Sequence, residues 1–225
     1  MLENGWVLPE SSHAPGPFPG KRYLHEVYTM ADPRFTGRVT VPLLWDVRRG
    51  TIANNESGDI LRAFGGAWSQ TGVNLYPQAL SDEIDLMNAR VYEDINNGVY
   101  KCGFATTQQA YDRAAKALFR AMDALEKHLS GRTYLVGEVL TEADIRLFTT
   151  MIRFDVVYHV HFKCCRKRLV DYPALLRHTA RLFERPDIRQ TVSIAAIRRH
   201  YFYSHKDINP HRIVPLAPAN GVGLS

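Results

Sequence analysis

Glu56 and Ser57 stand where a helical spacing begins, after Asn54-Asn55 and ahead of Ile60, Leu61 and Phe64 on one face. A helix start offers unpaired amides at the positive end of its dipole. The amides and the Ser57 hydroxyl can hold a carboxylate, while Glu56 can hold an ammonium. The same dipeptide can instead simply cap the helix, and on its own it leaves both readings open. His159, His161, Cys164 and Cys165 form a second cluster. Residues two apart on a helix face different sides, so the two histidines do not share a metal easily, and no second cluster completes a tetrahedral site. No metal is expected. Cys164 and Cys165 come late in a helix, where the dipole disfavours a thiolate while Lys163 and Arg166 favour one. Tyr158, one turn after Phe154, and Tyr201, in the run RRHYFYSH, have core packing as their ordinary fate.

These residues need elements to position them. Residues 1–20 read as a loop and RYLHEVYTMA (22–31) as a short helix ended by Asp32-Pro33. RVTVPLLWD (38–46) reads as a strand interrupted by Pro42, and Thr51-Ile52-Ala53 as its hairpin partner across a basic turn. The helix opened at Glu56-Ser57 stops at Gly65-Gly66. From about residue 80 the pattern is wholly helical. A helix from Ser81 carries Ile84, Met87, Val91 and Ile95 and is expected to end at Asn96-Asn97-Gly98. A longer one spans 107–129 and is closed by Gly131. In LTEADIRLF, Thr141 and Asp144 have capping-box spacing, and Leu140 and Ile145 that of a hydrophobic staple. Ile145, Phe148, Met151 and Ile152 should bury this helix at the centre of its domain. Asp171-Tyr172-Pro173 opens another helix through Phe183, broken at Arg185-Pro186-Asp187. A last helix is expected over about 188–200, with an extended tail from 201.

The chain has 225 residues, 45% of them hydrophobic, and a formal net charge of +5, enough for one large core or two small ones. It contains no apolar run long enough to span a membrane and no signal-peptide layout at its start. Three cysteines, Cys102, Cys164 and Cys165, are too few for a disulfide framework, which fits a reducing, cytoplasmic setting. The positive balance favours anionic ligands, but no docking motif accompanies it, so no nucleic-acid partner is expected.

Three stretches, ADPRFTGRVTVPLLWD…NNES (31–57), LTEADIRLFTTMIRFDVVYHVHFKC (140–164) and RRHYFYSHKDINPHRIVPLAP (198–218), resemble the glutathionyl-hydroquinone reductases, the Xi-class, omega-like glutathione transferases. With MLENGW at the start, the resemblance covers almost the whole chain. It implies a thioredoxin-like α/β domain followed by an all-α domain, here 1–66 and 67–225, the second with an extended C-terminal tail. It also implies glutathione as co-substrate, quinone-derived conjugates as partners and a homodimer. In the reaction, a cysteine thiolate attacks the glutathione sulfur, hydroquinone leaves, and a second glutathione resolves the mixed disulfide.

Residue by residue, the resemblance places a cis peptide at Val41-Pro42, with the Val41 backbone pairing the cysteinyl part of glutathione. Pro42 could otherwise be an ordinary edge-strand proline. Glu56 and Ser57 hold the γ-glutamyl end, and Trp6 and Arg38 are further glutathione contacts. Tyr158 and Tyr201 bind the aromatic substrate. The family's second tail tyrosine aligns with Phe202, which removes one hydroxyl, although Tyr203 is adjacent. Trp45, Arg198 and His205 are weaker candidates.

In the family the nucleophile lies in a Cys-Pro-Trp-Ala motif upstream of the stretch corresponding to residues 3–6, and no Cys-Pro occurs in this sequence. The expectation is therefore an incomplete thioredoxin-like domain lacking its first strand, first helix and second strand, inactive in this truncated form. The alternative is a non-catalytic glutathione- or phenol-binding or interaction protein on the same scaffold. A thiol transferase or dehydroascorbate reductase is a near variant.

Overall fold

The computed structural model describes residues 4–8, 18, 20–66 and 72–216. It divides into two compact units, Met1–Val73 and Asn74–Ser225. The expected loop over 1–20 and the tail beyond 216 fall largely outside the described residues.

The first unit is built on helix α1 (Leu24–Ala31), whose Leu24, Val27 and Tyr28 recur at helical spacing and are buried together. Trp6, Leu8, Phe18, Phe35, Val39, Leu43, Trp45 and Ile52 pack around them. Residues 6–8 run antiparallel to 22–24. The Leu24 amide donates to the Trp6 carbonyl at 3.0 Å, and the Leu8 amide to that of Arg22 at 2.8 Å. Strands β1 (Leu44–Asp46) and β2 (Thr51–Asn54) form an antiparallel hairpin with Trp45 opposite Ile52. Its turn is tied by the Asp46 carboxylate, which accepts from the amides of Arg48 (2.9 Å) and Arg49 (3.0 Å). Gly50, at φ 64°, supplies the left-handed position the turn requires. The strand expected over 38–46 is shorter than its sequence pattern: only 44–46 pair, because Pro42 has no N–H to give a ladder. Helix α2 (Ser57–Gly65) follows the hairpin.

Among the described residues, the second unit is all helical. Helix α3 (Ser81–Arg90) runs through a π-helical segment, Val91–Asn96, straight into α4 (Asn97–Gly103). The stop expected at Asn96-Asn97-Gly98 does not occur, for two tertiary reasons. The Asn96 amide donates to the Arg146 carbonyl (3.0 Å) and the Thr150 hydroxyl (2.6 Å), so it does not compete for its own backbone. Gly98 lies against Leu118, where an added Cβ would come within 3.4 Å. Helix α5 (Gln108–His128) is capped by the Thr107 hydroxyl, which accepts from the Ala110 amide at 3.2 Å.

Helix α6 (Glu142–Arg153) continues through a second π-helical segment, Phe154–Tyr158, into the short α7 (His159–His161). Its start is the capping box expected from sequence. The fully buried Asp144 carboxylate accepts from the Thr141 amide (2.9 Å), the Thr141 hydroxyl (3.0 Å), the Leu135 amide (2.8 Å) and His178 Nε2 (2.9 Å). Helix α8 (Pro173–Glu184) starts on Glu126, whose carboxylate accepts from the Ala174 and Leu175 amides. A short helix, α9 (Pro186–Arg189), precedes α10 (Ile194–Ser204). The last helix therefore lies later than the expected 188–200. It is reset at Ser193, whose hydroxyl accepts from the Ala196 amide at 3.3 Å, and it carries Tyr201 and Phe202 inside it rather than in a tail. Among the described residues, no helix is long and apolar enough to cross a membrane.

Candidate functional site

In the first unit a network around the Tyr28 hydroxyl joins the segments that carry Val41-Pro42 and Glu56-Ser57. Tyr28 Oη donates to the Thr40 carbonyl at 2.8 Å, and Asn55 Nδ2 reaches both Tyr28 Oη (3.2 Å) and Thr40 Oγ1 (3.3 Å). This network ties the residue before Val41-Pro42 to the residue before Glu56-Ser57. The Val41–Pro42 peptide is cis, as the resemblance implied, and Val41 is half exposed. Glu56 and Ser57 are exposed at the start of α2, with the Glu56 amide held by Asn54 Oδ1 at 2.6 Å. The start of α2 and its exposed carboxylate are thus tied through Asn55 to the segment that carries Val41, an arrangement suited to an amino acid-like group. Trp6 is half-buried against the α1 core, and Arg38 is exposed. Tyr28, Thr40 and Asn55 went unrecognised in the sequence, because their link spans residues 12 and 27 apart.

In the second unit, Tyr158 and Tyr201 come together and a third tyrosine joins them. Tyr201 Oη lies 2.8 Å from Tyr158 Oη and 2.7 Å from Tyr100 Oη. Tyr158 closes the π-helical segment after α6, and Tyr100 lies on α4 just after the other one, positions where π-turns recurrently re-aim functional side chains. Sequence reasoning missed Tyr100 because Asn96-Asn97-Gly98 reads as the end of its helix. Burial, reinforced by Tyr201, pushes the Tyr158 and Tyr100 phenols above their ordinary range, with Arg153 opposing both and Tyr158 opposing the shift of Tyr100. Both are therefore O–H donors at neutral pH. Three hydroxyls carry three protons and two links consume two, so one O–H remains to donate to a ligand oxygen. The Tyr100 and Phe104 rings, both partly exposed, lie nearly parallel (11°) beside this chain of hydroxyls, offering faces on which an aromatic ring can stack.

Behind the tyrosines, His161 Nε2 and His205 Nδ1 are 3.0 Å apart, sharing one proton. Burial, and then each ring's charged neighbours, lowers His161 and His205 to about 4, so both are neutral at physiological pH. Phe202 is buried edge-on to His161, with ring centroids 4.7 Å apart, whereas Tyr203 is exposed under Arg212. Phe202 and Tyr203, adjacent in the chain, therefore lie in different surroundings. Arg198 donates to the Pro215 carbonyl and holds the segment after α10. Cys164 and Cys102 are buried and Cys165 is exposed, all in this helical unit.

Residues 108–181 match the family model of the glutathione S-transferase C-terminal domain. Over 223 residues the chain is 49% identical to glutathionyl-hydroquinone reductase PcpF of Sphingobium chlorophenolicum, covering 97% of this chain and 71% of that protein. It is 45% identical to glutathionyl-hydroquinone reductase YqjG of Escherichia coli K12, covering 97% of this chain and 68% of that one. Among solved structures, the glutathione-bound form of YqjG superposes with a TM-score of 0.89 at 44% identity, covering 99% of this chain and 74% of the other. Glutathione transferase Xi 1 of Trametes versicolor gives the same TM-score and identity, covering 96% and 78%.

Proposed function

Because the chain belongs to the glutathionyl-hydroquinone reductases of the Xi-class glutathione transferases, we propose that it serves the glutathione-dependent reduction of glutathionyl-hydroquinones to hydroquinones. The observation that carries this reading is the chain of three tyrosine hydroxyls with one proton left to donate, since a hydroquinone is recognised through its phenolic oxygens.

In this reading residues 1–66 are the glutathione-binding part and 67–225 the helical part. The Val41 backbone beside Pro42 pairs the cysteinyl portion of glutathione. Ser57 and the first amides of α2 hold its γ-glutamyl carboxylate, and Glu56 holds its ammonium. Arg38 and Trp6 complete the grip on the peptide. Tyr158 and Tyr201, joined by Tyr100, bind the aromatic substrate through the one O–H that their chain leaves free, and that hydrogen bond to the ring oxygen strengthens as negative charge moves onto the ring when the carbon–sulfur bond breaks. A cysteine thiolate takes the glutathionyl sulfur and a second glutathione then releases it as glutathione disulfide. Cys102, Cys164 and Cys165 are not that nucleophile in this reading, since all three lie in the helical unit and two are buried. The reading also includes a homodimer working in a reducing, cytoplasmic setting, and sedimentation equilibrium tests the dimer.

The experiment is binding and turnover measured side by side. Retention on immobilised glutathione should be lost on Glu56→Ala, and hydroquinone affinity should fall on Tyr158→Phe. Turnover of a glutathionyl-hydroquinone by protein from its native source supports the reductase. Binding of both ligands without turnover would favour the non-catalytic binding protein, and binding of neither would sink both.

A further inference from the structure

We propose that a cavity between α6 and the α9–α10 connection binds a small organic monocarboxylate, with its apolar body between the helices and its carboxylate on Arg153.

One wall is a single face of α6. Ile145, Phe148, Thr149, Ile152 and Arg153 recur there at helical spacing and stand side by side. The facing wall comes from the passage of the chain from α9 to α10. After α9 the Thr191 hydroxyl donates to the Ile188 carbonyl at 2.7 Å, and α10 starts anew at Ser193. Ile188, Val192 and Ile197 line this side, with Thr191 and Ser193 beside them. The space between is about 390 Å³, at the small end of the range of ligand pockets, roughly 300–1,000 Å³. Tyr100, Tyr158 and Tyr201 do not line it, so it is separate from the chain of phenols.

Its residues are sorted by depth. Phe148 and Ile152 are buried, whereas Thr149, Asp187, Thr191 and Ser193 are exposed. An apolar floor under a polar mouth suits an amphiphile, and the volume suits a short acyl chain or a single ring.

The charge of that amphiphile follows from what the mouth residues already do. Asp187 is committed: its carboxylate accepts from Arg185 Nε (3.2 Å) and Nη2 (2.8 Å) and from the Ile188 amide (3.1 Å). The Thr149 and Thr191 hydroxyl protons go to the Arg146 and Ile188 carbonyls. Two donors remain. The Ser193 hydroxyl accepts from the Ala196 amide and keeps its own proton. Arg153 gives one N–H to the Thr149 carbonyl and has further N–H groups to give. Among the described residues, no carboxylate pairs with Arg153. A half-buried guanidinium without an anionic partner favours an anion, and its planar fork matches a carboxylate.

The test is calorimetric titration of the full chain with octanoate and with octanamide, which has the same body and no charge. Octanoate should bind, and octanamide about tenfold more weakly or worse. Amide chemical shifts should move at Ile145, Thr191 and Ile197 when octanoate is added to the unsubstituted chain. Arg153→Gln should weaken octanoate about tenfold and bring the two ligands together in affinity. Ala196→Leu, which adds bulk to the α10 wall, should weaken both. Tyr100→Phe should bind octanoate as the unsubstituted chain does. No binding at millimolar octanoate, or equal affinity for the two ligands in the unsubstituted chain, would overturn the proposal. Weakening in Tyr100→Phe, with shifts at the tyrosines and not at the cavity, would place the anion at the phenols and overturn it too.

Discussion

The Tyr158 and Tyr201 hydroxyls, 43 residues apart in the chain, sit 2.8 Å from one another, and Tyr201 in turn reaches Tyr100 at 2.7 Å. Tyr201 is thus the middle of a three-phenol relay, and its partners depend on it unequally. Tyr158 is 2% exposed and relies on Tyr201, whereas Tyr100 is 39% exposed and can turn to water.

From this asymmetry, Tyr201→Phe should lower stability by about 1–3 kcal/mol, because it strands the buried Tyr158 hydroxyl. Tyr100→Phe should lower it by less. The urea midpoint checks both. Hydroquinone affinity should fall roughly tenfold in Tyr201→Phe, since ligand and relay lose the donor together. An unchanged midpoint for Tyr201→Phe would show that the hydroxyls do not support one another.

How much of this was legible in the sequence follows the range of each interaction. The capping box at Thr141 and Asp144 and the hairpin ending at Asn54 are local, and their residues announce them. The continuation of α3 into α4 is not local. Asn96 is satisfied by Arg146 and Thr150 from α6, so a sequence reading gives a stop where the fold has a helix, and Tyr100 vanishes into a presumed loop. At α10 the signal is local but inconspicuous: the Ser193 hydroxyl accepts from the Ala196 amide three residues on and restarts the helix, which places Tyr201 in a helix and not in the expected tail. In the first unit Pro42 was conspicuous, but the Tyr28–Thr40–Asn55 network beside it joins three separate elements and has no sequence signature.

His161 and His205 give the fold a pH dependence of definite sign. Both are lowered from an ordinary 6.5 to about 4, so the folded state disfavours their protonation. The unfolded chain takes up protons below 6.5 while the fold does not. Their contribution is therefore complete above 6.5 and is lost progressively as pH falls toward about 4. Lys163 acts on His161 in the same direction, and His200 on His205. Thermal midpoints measured across this interval should drop, and the drop should be shallower in His205→Asn, which removes one of three such rings, His200 being lowered by burial as well. Parallel curves for the two proteins would assign the acid sensitivity elsewhere.

Asp144 is the most heavily committed carboxylate of the second unit, with four donors from Leu135, Thr141 and His178 converging on it. Asp144→Ala removes the acceptor and leaves those donors buried, so the loss should be about 3–5 kcal/mol, the range for breaking a buried charged network. Asp144→Asn should recover part of it, because the amide oxygen still accepts. Equal denaturation midpoints for the two variants would mean that shape at this site matters and charge and hydrogen bonding do not.

Asn55 offers a test of the first unit that leaves the proposed ligand contacts in place. Its side chain joins Tyr28 Oη and Thr40 Oγ1, so it aligns the loop before Val41 with the start of α2 without itself being one of the proposed glutathione contacts. Asn55→Ala removes two hydrogen bonds from an intermediate-burial site, a loss of about 1–2 kcal/mol in stability. If Glu56, Ser57 and Val41 act as one cradle, their relative placement matters, and glutathione affinity should fall roughly fivefold or more although every contact residue remains. Calorimetric titration with glutathione, compared with Glu56→Ala, separates the two roles. Asn55→Ala should weaken binding partially, and Glu56→Ala should remove the ammonium contact outright. Unchanged affinity in Asn55→Ala would mean that Glu56 and Ser57 hold the ligand without help from the Val41 loop.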